Sequence, residues 1–129
     1  MAQTTTEQLL ATLYDHFAHG RFPEVLAMCT DDITFKVPGA TSFSGVHTKA
    51  TFMQWIGAVW ELSGGTFREV PYDLIGNDSH GVVLLDHYVT RNGSERHYRV
   101  CHIWQVRDGK FCGWEEWPGD EAAFNAAWS

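Results

Sequence analysis

Residues 82–120, VVLLDHYVTRNGSERHYRVCHIWQVRDGKFCGWEEWPGD, decide the fold. Three runs rich in β-branched and aromatic residues, Val82 to Arg91, Glu95 to Val106 and Phe111 to Trp117, are separated by Asn92-Gly93 and by Arg107-Asp108-Gly109-Lys110. Asn-Gly and Asp-Gly tolerate the positive φ that tight hairpins need, so the stretch reads as an antiparallel meander. Upstream, Thr66 to Gly76 reads as one more strand, closed off by the turn GNDSHG.

The first half of the chain is mostly helical. Thr4 to Glu7 has the spacing of a capping box, and Leu9, Leu10, Leu13, Tyr14 and Phe17 recur at helical intervals before Gly20. Pro23 suits the start of a second, short helix running to about Cys29, because its missing N–H is not needed there. Ile33 to Val37 alternates as a strand, and PGATSFSG (38–45) reads as a loop. From Thr48 a third helix carries Phe52, Trp55, Ile56, Val59 and Trp60 on one stripe and ends at Ser63-Gly64-Gly65. Asp120 caps a short terminal helix. Helices followed by a meander give an α+β expectation: one domain over 1–129, N-terminal helices packed on a strongly curved antiparallel sheet and enclosing an apolar pocket.

Composition narrows the function classes. The chain has 129 residues, enough to bury roughly two-thirds of its unfolded surface. Six Trp, eight Phe and four Tyr supply more ring area than a minimal core requires, and such a surplus often lines a cavity. Nine Lys plus Arg against sixteen Asp plus Glu give a net charge of −7 with no basic block, so neither nucleic acid nor an anionic membrane is an expected partner. The N-terminal MAQTTTEQLL has no basic region leading into an apolar core, and no apolar run approaches the roughly 20 residues that span a bilayer. A cytoplasmic location is expected. Cys29, Cys101 and Cys112 lack zinc-site spacing and read as small buried hydrophobes, and His16 and His19 read as helix exterior, so no metal is expected.

Turn length decides which side chains meet. If Arg91-Asn92-Gly93 and Arg107-Asp108-Gly109 are three-residue loops, Asp86 lies across from Tyr98, Trp114 across from His102 and Glu116 across from Val100, and Asp86, His102 and Glu116 converge on one face. Val83, Leu85, Val89 and Ile103 then form an apolar outer face, which a homodimer would cover. If both turns have two residues, Asp86 faces Arg99 and His102 faces Glu115. Both registers remain open at this level.

The segments AHGRFPEVLAMCTDDITFKVPG (18–39), SGVHTKATFMQWI (44–56) and VRDGKFCGWEEWPGD (106–120), in this order and spacing, resemble the nuclear transport factor 2-like fold, also called cystatin-like. Within it the chain is similar to the SnoaL-like polyketide cyclases, with limonene-type epoxide hydrolases as relatives. The resemblance implies a catalytic acid at Glu116 with a histidine partner at His102. The epoxide hydrolases imply an aspartate near Asp86 with an arginine two residues earlier, where this chain has Leu84. Steroid isomerases of the fold imply functional residues near Leu13, Val37 and Cys101, none of which suits that chemistry, leaving Tyr14 as a substitute only after a helix shift.

The candidate catalytic residues are therefore Glu116, His102 and Asp86. In an apolar pocket Glu116 can act as a general acid or base and His102 as a proton shuttle; the alternatives are a sheet-edge carboxylate and a core histidine. Asp86 can orient His102, act as a base or pair with Arg99. Tyr14, Trp55, Trp60, Tyr98, Trp104 and Trp114 are the candidate substrate-binding rings, and His47, His80, His87 and His97 are assigned to loops or the dimer face. The expected activity is cofactor-free acid/base catalysis on a small, largely apolar cyclic or carbonyl compound, of the intramolecular aldol cyclase or isomerase type. A non-catalytic ligand-binding or scaffold protein and an epoxide hydrolase are the alternatives.

Overall fold

The computed structural model describes residues 4–129. In chain order it contains α1 (Thr6–Ala18), α2 (Phe22–Ala27), β1 (Cys29–Val37), β2 (Gly45–Thr48), α3 (Phe52–Leu62), β3 (Arg68–Gly76), β4 (His80–Arg91), β5 (Ser94–Arg107), β6 (Lys110–Pro118) and α4 (Glu121–Trp128). The six strands form one curved, unclosed sheet in the order β2-β1-β6-β5-β4-β3. Every neighbouring pair is antiparallel except β1 and β6. This is the expected α+β architecture, with the helices over the concave face.

Local chemistry places the elements. The capping box sits one residue later than expected: the Gln8 N–H donates to Thr5 Oγ1 (3.2 Å) and the Thr5 N–H to Gln8 Oε1 (2.8 Å). Glu7 instead accepts the Gly76 N–H (2.9 Å), and the Thr6 hydroxyl donates to Asn77 O (2.7 Å), tying the start of α1 to the β3–β4 turn. Gly81 lets α1 seat closely, since a Cβ there would stand 2.8 Å from Leu10 Cδ1. Together these contacts set the height of Tyr14 above the sheet.

Two segments differ from expectation. Strand β1 begins at Cys29 rather than Ile33, because Cys29 pairs with Phe111 before the register shifts. The loop after Pro38 gives way to β2, which pairs with Thr34 to Val37, and α3 starts at Phe52 because Thr51 Oγ1 accepts the Thr48 N–H (2.9 Å) and turns the chain first. Among the three cysteines only Cys29 is fully buried, where burial pushes its thiol up to about 11; Cys101 and Cys112 are half-buried.

The register combines parts of both expectations. Asn92 and Gly93 both have positive φ, as do Asp108 and Gly109, so each hairpin closes in two residues. Asp86 consequently pairs with Arg99, and His87 with Tyr98. On β6 Cys112 is an extra, bulged residue: Val106 pairs with Phe111 but Gln105 with Gly113. The bulge advances the register by one and puts Glu116 opposite His102. Glu115, opposite Ile103, faces out.

The inner and outer faces of β4 are thereby exchanged relative to the three-residue expectation. Val83, Leu85 and Val89 are fully buried on the inner face beside His87, and Ile103 on the outer face is half-buried. Three of the four residues on which the homodimer expectation rested, Val83, Leu85 and Val89, therefore face inward, and only Ile103 stays on the outer face. No helix among the described residues is long and apolar enough to cross a membrane.

Candidate active site

Two chains of donors and acceptors with the same composition meet on the concave face. In the first, Trp104 Nε1–H donates to the Tyr14 hydroxyl oxygen (3.0 Å), Tyr14 lies 2.5 Å from His102 Nδ1, and His102 Nε2 lies 2.9 Å from Glu116 Oε1. In the second, Trp128 Nε1–H donates to the Tyr98 hydroxyl oxygen (2.7 Å), Tyr98 lies 3.2 Å from His87 Nδ1, and His87 Nε2 lies 2.8 Å from Glu69 Oε2. Indole N–H can only donate, so each tyrosine oxygen is an acceptor there and turns its own hydrogen toward Nδ1. A neutral imidazole then carries its proton on Nε2 and donates it to a carboxylate. Cross-contacts of 3.7 Å (His87 Nδ1 to Glu116 Oε1) and 3.8 Å (His102 Nε2 to Glu69 Oε2) join the chains into one cluster.

The elements explain the convergence. Cross-strand pairing sets His102 beside Glu116 and Tyr98 beside His87, and the β3–β4 register sets Glu69 opposite His87. Tyr14 arrives from α1 and Trp128 from α4, whose cap is the Asp120 side chain accepting the Ala123 N–H. His87 and His102 retain only 2% and 3% side-chain exposure and Glu69 10%.

Burial acts against every charge here, and the partners decide the outcome. Burial by itself raises Glu69, but the hydrogen bond from His87 and the positive character of His87 and His102 outweigh it and hold the carboxyl below its ordinary range. Burial lowers His87, and the Glu69 hydrogen bond and carboxylate reverse that, leaving the imidazole above its ordinary value. Glu69 and His87 thus each favour the other's charged form, and when His87 is charged its Nδ1–H donates to the Tyr98 oxygen in place of the Tyr98 hydrogen. Burial, reinforced by the nearby glutamates, raises Tyr14 and Tyr98, so both hydroxyls stay protonated.

The cluster borders two hollows. An inner cavity of about 70 Å³ is walled by the cluster and by rings including Phe35, Trp55 and Trp114. A groove of about 420 Å³ runs between the end of α1, α3 and β3. Tyr14, Phe17, Ile56, Val59, Phe67 and Glu69 line both, forming the partition between them. A water occupies roughly 30 Å³, so the inner cavity has room for one or two waters or the small end of a molecule, whereas the groove falls in the range of roughly 300–1,000 Å³ seen for ligand sites.

The residues singled out in the sequence distribute as follows. Glu116 and His102 come together inside, with Tyr14, Tyr98, Trp104, Trp114 and Trp55 around the same cavity. The buried Trp55 Nε1 has no hydrogen-bond partner among the described residues, and the ring stacks on His47 (centroids 4.9 Å apart). Trp60 lies in the groove and is 58% exposed. Asp86 does not join them: it faces outward, accepts from His97 (2.8 Å) and Arg99 (3.1 Å), and is separated from the cavity by the sheet. The two-residue turn at Asn92-Gly93 is the reason. Leu84 shares that outer face, since it pairs with Cys101 two positions from the Asp86–Arg99 pair.

His87 and Glu69 were not among the expected site residues. His87 carries a legible signal, for it sits on the alternating apolar series Val83, Leu85, His87, Val89, which marks an inward position once that stripe is taken as core. Glu69 carries none, because its strand is largely exposed and its facing depends on pairing with β4. Glu69, His87 and His102 also each present a metal-ligating atom, all within 4.8 Å of one another.

Solved structures share this architecture. A cystatin-like protein from Xanthomonas campestris superposes with a TM-score of 0.88 at 20% identity, covering 98% of this chain and 99% of that one. An NTF2-like protein from Burkholderia pseudomallei K96243 gives 0.86 at 22% identity over 98% and 99%. TerC, co-crystallised with polyporic acid, gives 0.80 at 23% identity over 92% and 93%. No curated protein matches the chain. The profile of the SnoaL-like domain matches residues 10–114, from α1 through the cavity-facing helix α3 to Trp114 on β6. Because that match takes in most of the chain and the greater part of the helical cover and sheet that build the cavity, the protein belongs to the SnoaL-like domain family.

Proposed function

We propose that this protein is a proton-transfer enzyme of the cyclase or isomerase type, acting with its own side chains on a small, largely apolar cyclic or carbonyl compound. One observation carries the reading: two Trp–Tyr–His–Glu chains end side by side in a ring-walled hollow beside a groove of ligand size. The ligand body lies in the groove against Trp60 and Ile56, and its reacting end passes the partition at Tyr14 and Glu69. One imidazole–carboxylate pair removes a proton alpha to a carbonyl. The resulting enolate is reprotonated at another carbon in an isomerisation, or attacks a second carbonyl in a cyclisation whose alkoxide takes a proton from the other pair. Trp55 lines the cavity, and its Nε1, a buried donor without a partner among the described residues, is the group available to hydrogen-bond the oxygen on which charge develops.

The reading is tested without knowing the natural substrate by following exchange of α-hydrogens for deuterium in a panel of cyclic ketones and 1,3-dicarbonyls in D2O. The unaltered protein should accelerate exchange for compounds that fit the groove, and Glu116→Gln should lower that acceleration by about 10² or more with the fold intact. A second reading, ligand binding without chemistry, draws on the groove alone. Compounds that bind in the groove yet exchange at the buffer rate would establish it in place of the first. Epoxide hydrolysis has no support here, because Asp86 and Leu84 lie on the far side of the sheet.

A further inference from the structure

We infer that Glu69, His87 and His102, with Glu116 adjoining, form a site for one divalent first-row transition-metal ion such as Zn²⁺ or Co²⁺. The site goes beyond the proton-transfer reading and does not depend on it. Metal–nitrogen and metal–oxygen bonds of about 2.0–2.2 Å put neighbouring ligand atoms roughly 3.0–3.5 Å apart. The observed separations from Glu69 Oε2, 2.8 Å to His87 Nε2 and 3.8 Å to His102 Nε2, bracket that range, and the three ligand atoms already lie within 4.8 Å of one another. Closing on an ion takes shifts of about an ångström, well within the reach of side-chain adjustment.

Three further features fit an ion. Each histidine has its Nδ1 beside a tyrosine hydroxyl oxygen, Tyr14 for His102 and Tyr98 for His87, so with an ion on Nε2 the ring proton sits on Nδ1 and donates to that oxygen, which also accepts an indole N–H. An outer ring of hydrogen bonds of this kind orients imidazole ligands toward metals. The charges also balance, since a dication offsets the two buried carboxylates of Glu69 and Glu116 that otherwise depend on the imidazoles for compensation. The groove supplies the access path, because Glu69 lines it as well as the inner cavity. Two imidazoles with one or two carboxylates are a donor set that suits Zn²⁺, Co²⁺, Fe²⁺ or Mn²⁺ rather than Mg²⁺ or Ca²⁺.

The test is a titration of chelator-treated protein with Co²⁺ and Zn²⁺. One ion per chain should bind, with Kd in the micromolar range or below, and bound Co²⁺ should show the visible absorption of a low-coordinate N/O site. Glu69→Gln should weaken binding by about 100-fold or more, and Tyr98→Phe by roughly tenfold through the orientation of His87. His97→Ala, on the outer face, should leave affinity unchanged. Should the variants misfold, paramagnetic Co²⁺ on the unaltered protein should shift the imidazole signals of His87 and His102 in NMR spectra. No binding at about 100 µM Co²⁺ or Zn²⁺ would overturn the site. So would paramagnetic shifts confined to His16, His19, His47, His80 and His97, or an affinity indifferent to Glu69→Gln in a folded variant. Each outcome is separable from the exchange assay, which is run in the presence of a chelator.

Discussion

The two faces of the sheet across β3, β4 and β5 carry the same chemical pair in different surroundings. On the outer face His97 lies 2.8 Å from Asp86, with Arg99 at 3.1 Å; on the inner face His87 lies 2.8 Å from Glu69. Distance does not distinguish them. The outer pair is open to water on its cationic side, with His97 46% exposed over a half-buried Asp86, so solvent and salt screen its attraction and such pairs contribute little. The inner pair has lost its water, so each charge depends on its partner, and the tyrosine and tryptophan behind His87 hold the imidazole in place. Burial, set by strand facing, separates a solvent-screened acid–imidazole contact from one whose charges are held by their protein partners alone.

The largest effect that can break this contrast is on stability. His87→Ala should cost about 3–5 kcal/mol in urea unfolding, because it leaves the Glu69 carboxylate buried without its partner. His97→Ala should leave the unfolding midpoint within experimental scatter. Comparable losses for the two variants would mean that the faces do not differ as described. Next in size is turnover: in the deuterium-exchange assay Glu116→Gln should lose about 10² or more, whereas Asp86→Asn should keep the rate. Exchange that survives the first substitution and not the second would move the site to the outer face.

A smaller effect probes the cavity wall. Trp55→Phe keeps most of the ring and removes the unpartnered N–H, so it should lower the exchange rate by roughly tenfold or less, in line with one hydrogen bond, while ligand binding in the groove is retained. An unchanged rate would remove Trp55 from the chemistry. The smallest effect is the pH profile of stability in chelator-treated protein. His87, raised above its usual 6.5, stabilises fully below about that pH and loses its contribution as pH rises through the higher folded-state value. Glu69, lowered from 4.5, stabilises above about that pH and loses its contribution as pH falls through the lower one. Their joint contribution is therefore full between about pH 4.5 and 6.5, and Glu69→Gln should flatten both flanks of the curve. In 1 M salt the flanks should persist, whereas any contribution from Asp86 should fade.

Much of the fold was legible because its signals are local. The helical spacing from Leu9 to Phe17, the Pro23 and Asp120 helix starts and the Asn-Gly and Asp-Gly turns each act within a few residues. Half of the candidate site was legible too: two adjacent glutamates ensure that one of Glu115 and Glu116 faces inward, and the family resemblance pointed to Glu116 and His102, which meet in the cavity. Strand β2 was missed because it has four residues, and an edge strand so short is defined by its partner β1 rather than by its own pattern. His87 was passed over although its apolar neighbours Val83, Leu85 and Val89 marked its face, since the three-residue turn assigned that stripe to the outside.

Taken alone, the sequence determined the order of the elements other than β2, the concave covering by helices, the wealth of rings and the presence of an acid and an imidazole on neighbouring strands. Only the tertiary structure decided which residues meet. The bulge at Cys112 restores His102 to Glu116 after two tight turns, the β3 register brings Glu69 to His87, and α1 and α4 deliver Tyr14 and Trp128 from opposite ends of the chain. The physical reason is that alternation along one strand is a local property with a period of two, whereas facing across strands changes completely with a single inserted residue whose own preference for bulging is weak. A site built from four strands and two helices is specified by those registers together, and no single segment carries them.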